Sequence, residues 1–144
     1  MNTNYTNLTN YTNENKILTD YKDGLVYKDL SYKIISAVYE VHNQLGPGFT
    51  ESIYEEALIK EFHARNIVYE RQKGIKVRYK GEVIGEYKLD LVIENKIILE
   101  LKAVSELNEV FKSQLLSYLK ASKLKLGILI NFGSKSIEYV RIVN

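Results

Sequence analysis

The chain contains no cysteine, which excludes disulfides, thiolate zinc sites and iron–sulfur clusters. It has no apolar run approaching the roughly 20 residues of a membrane-spanning helix, and its N-terminus lacks the basic-then-apolar order of a signal peptide. These absences lead to the expectation of a soluble, cytoplasmic protein with no membrane partner. A dominant charge is missing too: 20 Lys and Arg stand against 18 Asp and Glu, a formal net charge of +2. So near-neutral a total neither demands nor excludes a nucleic-acid partner, because local patches decide that. No zinc finger or basic recognition helix is present, and base-specific recognition is not legible in the chain.

With 144 residues, 45% of them hydrophobic, the chain is one domain by length and has material for a real core. Residues 1–25 are expected to stand apart as a low-complexity Asn/Thr-rich tail. The opening MNTNYTNLTNYTNEN has almost no apolar surface to bury and is expected to be disordered. Its Asn-x-Thr patterns at Asn4, Asn7 and Asn10 read as by-products of the repeat, not as glycosylation sites. The folded domain is expected over 26–144, its first element starting between Leu25 and Leu30.

From Leu30 to Leu45 the residues Ile34, Ile35, Val38, Val41 and Leu45 recur at helical spacing. Gly46-Pro47-Gly48 stops that helix, and His42 lies near its apolar stripe shortly before the stop. A lone histidine there is more often packed in a core than a ligand. Thr50 is the expected N-cap of a second helix running to about Asn66. Glu51 falls in its first turn, on the line Tyr54, Leu58, Phe62, so it is expected to look inward from the helix end. The texture then changes to strands at Ile67–Gln72, Ile75–Tyr79, and Val83 onward after a Lys80-Gly81 turn. A third helix is expected from about Leu107 to Ser122, with Leu107, Phe111, Leu115 and Leu119 buried and Gln114 and Tyr118 one turn apart. Strands over Leu126–Phe132 and Ile137–Val143 close the domain. This order predicts an α/β fold, a mixed sheet with helices packed on it.

The most informative stretch is Asp90 to Lys102. Glu100 and Lys102 interrupt an otherwise apolar strand, Ile97 to Ala103, where burying a charge is costly unless it is paired or holds a metal. Alternation puts Glu100 and Lys102 on one face and Ile97, Leu99 and Leu101 on the other. If the hairpin turn is centred on Asn95, Ile93 pairs with Ile97 and Asp90 falls opposite Glu100. A two-residue turn would put the acid on the wrong side, so the pattern predicts an odd-length loop or a bulge. Two opposed carboxylates repel unless a cation lies between them, and a hard ion such as Mg2+ suits them. Lys102 beside them can stabilise an oxyanion or help to deprotonate water, which completes the parts of metal-assisted phosphodiester hydrolysis. The bland alternative is an ordinary hairpin with a Lys–Glu pair on a solvated face.

These residues carry a family resemblance. Gly48-Phe49-Thr50-Glu51-Ser52-Ile53-Tyr54 after His42-Asn43-Gln44-Leu45-Gly46-Pro47 resembles the motif of the GxxExxY proteins. So do, in order and spacing, Gly85-Glu86-Tyr87-Lys88-Leu89-Asp90, Glu100-Leu101-Lys102-Ala103, Gln114 with Tyr118, and Ile130-Asn131-Phe132-Gly133. The match runs from about Leu30 to Val143. That family is similar to the PD-(D/E)XK nuclease superfamily, and the resemblance implies a restriction-endonuclease-like core. It implies that Asp90 and Glu100 bind Mg2+ (or Mn2+), that Lys102 assists the water, and that Glu51 completes or orients the metal shell. It implies that Gln114 and Tyr118 lie beside the active site and touch substrate, with Tyr54 and His42 as supporting positions. Leu89 stands where the superfamily's motif has proline, and the lack of cysteine separates this chain from relatives with an iron–sulfur cluster.

The expected function is therefore a divalent-metal-dependent nuclease acting on nucleic acid, DNA before RNA. One alternative keeps the fold as a nucleic-acid-binding or regulatory module with little catalysis. Another makes the twelve tyrosines a contact surface, to be seen as a cluster of exposed tyrosines away from Glu100. A homodimer or a protein partner is an open expectation for so small a domain. Arg71, Lys73, Lys76, Arg78, Lys80 and Lys88 before the acids, and Lys112, Lys120, Lys123 and Lys125 after them, suit a polyanion or a solvated face.

Overall fold

The computed structural model describes residues 25–144, so the Asn/Thr-rich segment with Asn4, Asn7 and Asn10 lies outside the described residues. The elements follow as α1 (Lys28–Leu45), α2 (Glu51–Ala64), β1 (Tyr69–Tyr79), β2 (Glu82–Ile93), β3 (Ile97–Lys102), α3 (Glu109–Ser122), β4 (Leu126–Asn131) and β5 (Glu138–Val143). One five-stranded sheet forms in the order β1-β2-β3-β4-β5. All its pairs are antiparallel except β3 with β4, which run parallel. Antiparallel neighbours can be joined by tight turns, whereas a parallel pair needs a crossover; α3 is that crossover. Among the described residues no helix is long and apolar enough to cross a membrane.

The α1 and α2 stripes do what their spacing implies. Ile34, Ile35, Val38 and Val41 from α1 and Tyr54, Leu58 and Phe62 from α2 are buried against one face of the sheet. That face offers Leu91, Ile93, Ile97, Leu99, Leu101, Ile128 and Ile130. The other face carries α3, whose Leu115 and Leu119 pack on Ile75, Leu89, Val92, Ile98, Leu129 and Ile142. Both faces of β3 and β4 are thus covered, which is why they read as continuous apolar runs. Glu100 is then a carboxylate on a strand sandwiched between two layers of helix.

The expected elements exist, with four differences of detail. The strands expected at Ile67–Gln72 and Ile75–Tyr79 are one strand, β1, in which Gln72 alone takes a left-handed conformation (φ 51°) and pairing resumes on either side of it. Lys73-Gly74, left between those two expected strands, pairs with Leu89 and Lys88 as part of β1. Thr50 occupies the N-cap position of α2 with extended backbone, yet its hydroxyl faces Ser52 Oγ at 3.2 Å and caps no backbone N–H. The third helix starts at Glu109, capped by Asn108, whose Oδ1 accepts from the Phe111 N–H.

The α3 layer rests on a close approach. A Cβ on Gly127 of β4 would lie 2.8 Å from Leu115 Cδ1 and 2.9 Å from its Cγ. Gly127→Val is expected to lift α3 and to cost about 1–3 kcal/mol through overpacking. A urea titration followed by circular dichroism checks this; an unchanged midpoint would mean that α3 is not seated on Gly127.

Candidate active site at the break in the β2–β3 ladder

The hairpin between β2 and β3 has the odd-length loop that the apolar pattern requires. Glu94 and Asn95 are left-handed (φ 51° and 56°), the Lys96 N–H donates to Ile93 O at 2.9 Å, and Ile93 pairs with Ile97. The register continues through Val92 with Ile98 and Leu91 with Leu99, and there backbone pairing ends. At the next step the carboxylates take over. The Asp90 N–H donates to Glu100 Oε1 at 3.1 Å, and the Leu101 N–H donates to Asp90 Oδ2 at 2.9 Å. Leu89 packs in the α3 layer while Leu91 packs in the α1/α2 layer, so strict alternation fails across Asp90. Gln72, which faces this step from β1, is the left-handed residue. The sheet is irregular on both sides of the same rung, and Asp90 and Glu100 meet in the gap.

The electrostatics of that gap are unfavourable to two negative charges. Glu100 is buried, 8% exposed. Burial and then the charge of Asp90 push its carboxyl up to about 8, against the smaller lowering effects of the Asp90 N–H and Lys102. Lys102 is half-buried and makes no ion pair among the described residues; its Nζ lies 4.6 Å from the centre of the Phe111 ring on α3. Tyr118 packs on Tyr87 with ring centres 5.1 Å apart. Burial first, then Glu100, Tyr87 and Asp90, raise its hydroxyl, which is therefore a hydrogen-bond donor and not a base. Gln114 is exposed one turn earlier on the same helix.

Glu51 stands at the exposed start of α2. Its carboxyl is raised by partial burial, lowered by Lys102 and raised again by Asp90 and Glu55, so it shares the field of the site. Among the described residues no three His, Asp or Glu side chains are grouped to hold a metal, so Glu51 is not brought into one donor cluster with Asp90 and Glu100. Asp90 and Glu100 by themselves fit a divalent cation. They are two convergent acids whose repulsion holds a proton on the pair, and such a cation would relieve it.

Tyr54 and His42 support the site from beneath. Tyr54 is fully buried, donates to Gly46 O at 2.6 Å, and accepts from the Phe49 N–H at 3.2 Å. It thereby closes the turn in which Gly46 (φ 68°) and Gly48 (φ 118°) are left-handed, and so fixes where α2 and Glu51 begin. Its ring stacks on Phe132 at 4.5 Å. His42 Nε2 bonds Ser134 O at 3.1 Å beside the same Phe132, the packed role that is commoner for such a histidine.

Sequence reasoning missed the clamp on the segment after Lys102. Fully buried Asn131 accepts from the Val104 and Gly133 N–H groups and donates to Val104 O and Glu138 Oε1; Glu138 in turn accepts from the Leu107 N–H. Gly133 must be glycine there, because a Cβ would lie 2.4 Å from Val104 O and 2.6 Å from Ala103 C. Asn131-Phe132-Gly133 is visible as a motif, but its partners are remote in sequence. Phe111 and Tyr87 are visible as a helix-stripe and a motif residue, but their pairing with Lys102 and Tyr118 is not local in sequence.

A family model described as the PD-(D/E)XK nuclease superfamily matches residues 28–142. The chain belongs to that superfamily. A solved structure, the crystal structure of SSO0001, is similar at a TM-score of 0.51 and 21% identity, over 65% of this chain and 49% of the other. This nuclease-superfamily chain thus spans about half the length of that structure, and the likeness concerns fold alone. No curated protein matches. The superfamily assignment agrees with the mixed sheet with helices on both faces.

Two measurements follow from this geometry. Glu100 keeps its proton in the folded protein up to about pH 8, whereas an unperturbed carboxyl loses it at 4.5. Between those values the folded state binds more protons than the unfolded chain, so stability falls as pH rises through the window. Glu100→Gln is expected to remove that decline in EDTA, as urea midpoints near the two ends of the window will show. Asn131→Ala leaves several buried backbone and carboxylate groups without a partner and is expected to cost about 2–4 kcal/mol, a loss the same titration reads.

Proposed function

We propose that this chain is a divalent-metal-dependent nuclease that hydrolyses phosphodiester bonds, with DNA as the preferred substrate. The observation that carries the reading is the meeting of Asp90 and Glu100 in a ladder break beside an unpaired Lys102. A regular sheet has no use for two acids there, and their repulsion opposes folding. Asp90 and Glu100 would hold a divalent cation, which would supply a Lewis acid for the phosphoryl oxygens and lower the pKa of water. Mg2+ or Mn2+ has the hardness these oxygens favour.

The remaining roles fall to the chain's own groups. Lys102 swings from the Phe111 ring toward the anionic phosphate or the attacking water. Tyr118 donates its hydroxyl to substrate oxygen, and exposed Gln114 reaches the same strand of substrate. Glu51 orients water on the α2 side, held there by the Tyr54 knot. In the reaction a water oxygen bonds to phosphorus, the ester P–O bond breaks, and the leaving oxygen takes up a proton. The contact-surface alternative is weakened because the tyrosines most exposed among the described residues, Tyr79 and Tyr87, lie at separate points of the β1–β2 hairpin, and Tyr87 touches Tyr118. The motif succession from Gly48 to Gly133 supports placement among the GxxExxY proteins, and a cytoplasmic site of action is the matching expectation.

The deciding experiment is cleavage of labelled single- and double-stranded DNA and RNA with Mg2+, Mn2+ or EDTA. Wild type is expected to cut only with metal, and Glu100→Ala and Lys102→Ala are each expected to lose at least ~100-fold in rate, as removal of a charge-stabilising group does. Cutting that persists in EDTA, or in Glu100→Ala, would overturn the reading.

A further inference from the structure

Several cations of the chain are already engaged. Arg71 binds Glu55 and Glu56 at 2.7 and 2.6 Å, Lys73 binds Glu70, and Lys112 binds Glu109. These belong to the basic texture of the sequence, and pairing removes them from any anion-binding surface. Lys76 and Arg78 on β1 and Lys120 and Lys123 at the end of α3 are different. All four are exposed, and no ion pair among the described residues includes them.

These four line one groove. Its volume is about 470 Å³, and the rest of its lining is Val77, Ser117 and Ala121, side chains too short to fill it. Two walls of different origin, a strand and a helix far apart in sequence, each contribute two positive charges. Lys76 faces Glu86 across the β1–β2 ladder, but Glu86 turns its carboxylate over Gly74, where no side chain competes for the space. The bulge between Val77 and Arg78 shifts the register at this point, pairing Val77 with Gly85 and Arg78 with Val83. Solubility alone is served by interspersed charges; four like charges around one groove repel each other, and an anion between them relieves that repulsion.

The groove adjoins the carboxylate site through α3. Ser117 lines the groove, and at the next position of α3 Tyr118 packs on Tyr87 of β2, the strand that carries Asp90. We infer that the groove between β1 and α3 binds the phosphodiester backbone of a nucleic-acid strand, flanking the phosphate presented to Asp90 and Glu100. The inference rests on the nuclease reading for what the strand does at the carboxylates, but not for its binding. The groove reads backbone charge and no bases, as Lys and Arg contacts to phosphates do.

The test measures binding of fluorescein-labelled single-stranded DNA, duplex DNA and RNA of one sequence to the full chain in EDTA, where no cleavage intervenes. The variants are the wall pairs K76A/R78A and K120A/K123A, their fourfold combination, and K33A/K60A on the opposite helical layer as a control. Removing four phosphate-binding cations reduces the slope of log affinity against log salt on single-stranded DNA by about 2.8. Wild type is then expected to lose ~50-fold more affinity than the fourfold variant between about 50 and 200 mM salt. Each wall pair is expected to give about half the change in slope, and K33A/K60A none. Equal losses on DNA and RNA report backbone contact common to both, and a loss confined to one names the source of the strand. Unchanged affinity and slope in the fourfold variant, no binding by wild type, or an equal loss in K33A/K60A would overturn the groove. Cleavage by wild type with binding unaltered in the fourfold variant would overturn the groove and leave the nuclease reading. Groove-dependent binding by a wild type that never cuts would do the reverse.

Discussion

The exchange of ladder hydrogen bonds for carboxylate hydrogen bonds at Asp90 and Glu100 is the constraint on which the rest of the molecule depends. Where backbone pairing of β2 with β3 would continue past Leu91 and Leu99, each acid accepts an N–H from the opposite strand. The backbone donors stay satisfied, as buried donors must. The cost is displaced onto the acids, which are held close together in a place where both cannot easily be charged. A break of this kind survives only if the strands on either side are over-determined. The apolar pairs Val92–Ile98 and Ile93–Ile97, covered by helices on both faces, provide that.

The two helical layers divide the remaining work. The α1/α2 layer is a floor: Tyr54 stacks on Phe132, with His42 tilted against the same ring, beneath the Gly46–Phe49 turn, and the turn sets Glu51 at the head of α2. Arg71 ties β1 to α2 by bridging Glu55 and Glu56, one of which is well covered. The α3 layer is the working face. It carries Phe111 under Lys102, Tyr118 against Tyr87, and Leu115 seated in the space left by Gly127. Asn131 and Glu138 fasten the segment that leads from Lys102 to the start of α3, so the lysine and the helix it rests on share one anchor.

Much of this was legible in sequence because it follows from periodicity. The stripe Tyr54, Leu58, Phe62 needed only helical spacing, and the pairing of Ile93 with Ile97 followed from requiring one buried face on each strand. What escaped was local conformation decided by remote contacts. Gln72 gave no sign of its left-handed backbone, because the reason lies at the Asp90 step of the neighbouring strand. Lys73-Gly74 falls between the two expected strands, and only the pairing of Gly74 with Lys88 of β2 shows that β1 runs straight through it. Thr50 has the composition of a capping residue, but its hydroxyl is taken by Ser52. The expectation that Asp90 and Glu100 share a face was right in its consequence and too regular in its geometry, since alternation itself fails between Leu89 and Leu91.

The position of Lys102 completes the physical argument. An ammonium so near two acids would be expected to bridge them, and a bridge would quench the repulsion that makes the pair receptive to a cation. Breaking a buried ion pair costs about 3–5 kcal/mol, which would oppose every binding and release event at the site. Leaving an aromatic face costs about 0.5–2 kcal/mol. By resting over Phe111, Lys102 stays close enough to lower the carboxyls of Glu100 and Glu51, yet it can be displaced at small cost. The acids are left to relieve their repulsion by holding a proton in the folded state, and a divalent ion that displaces that proton satisfies both carboxylates without any further rearrangement of the protein.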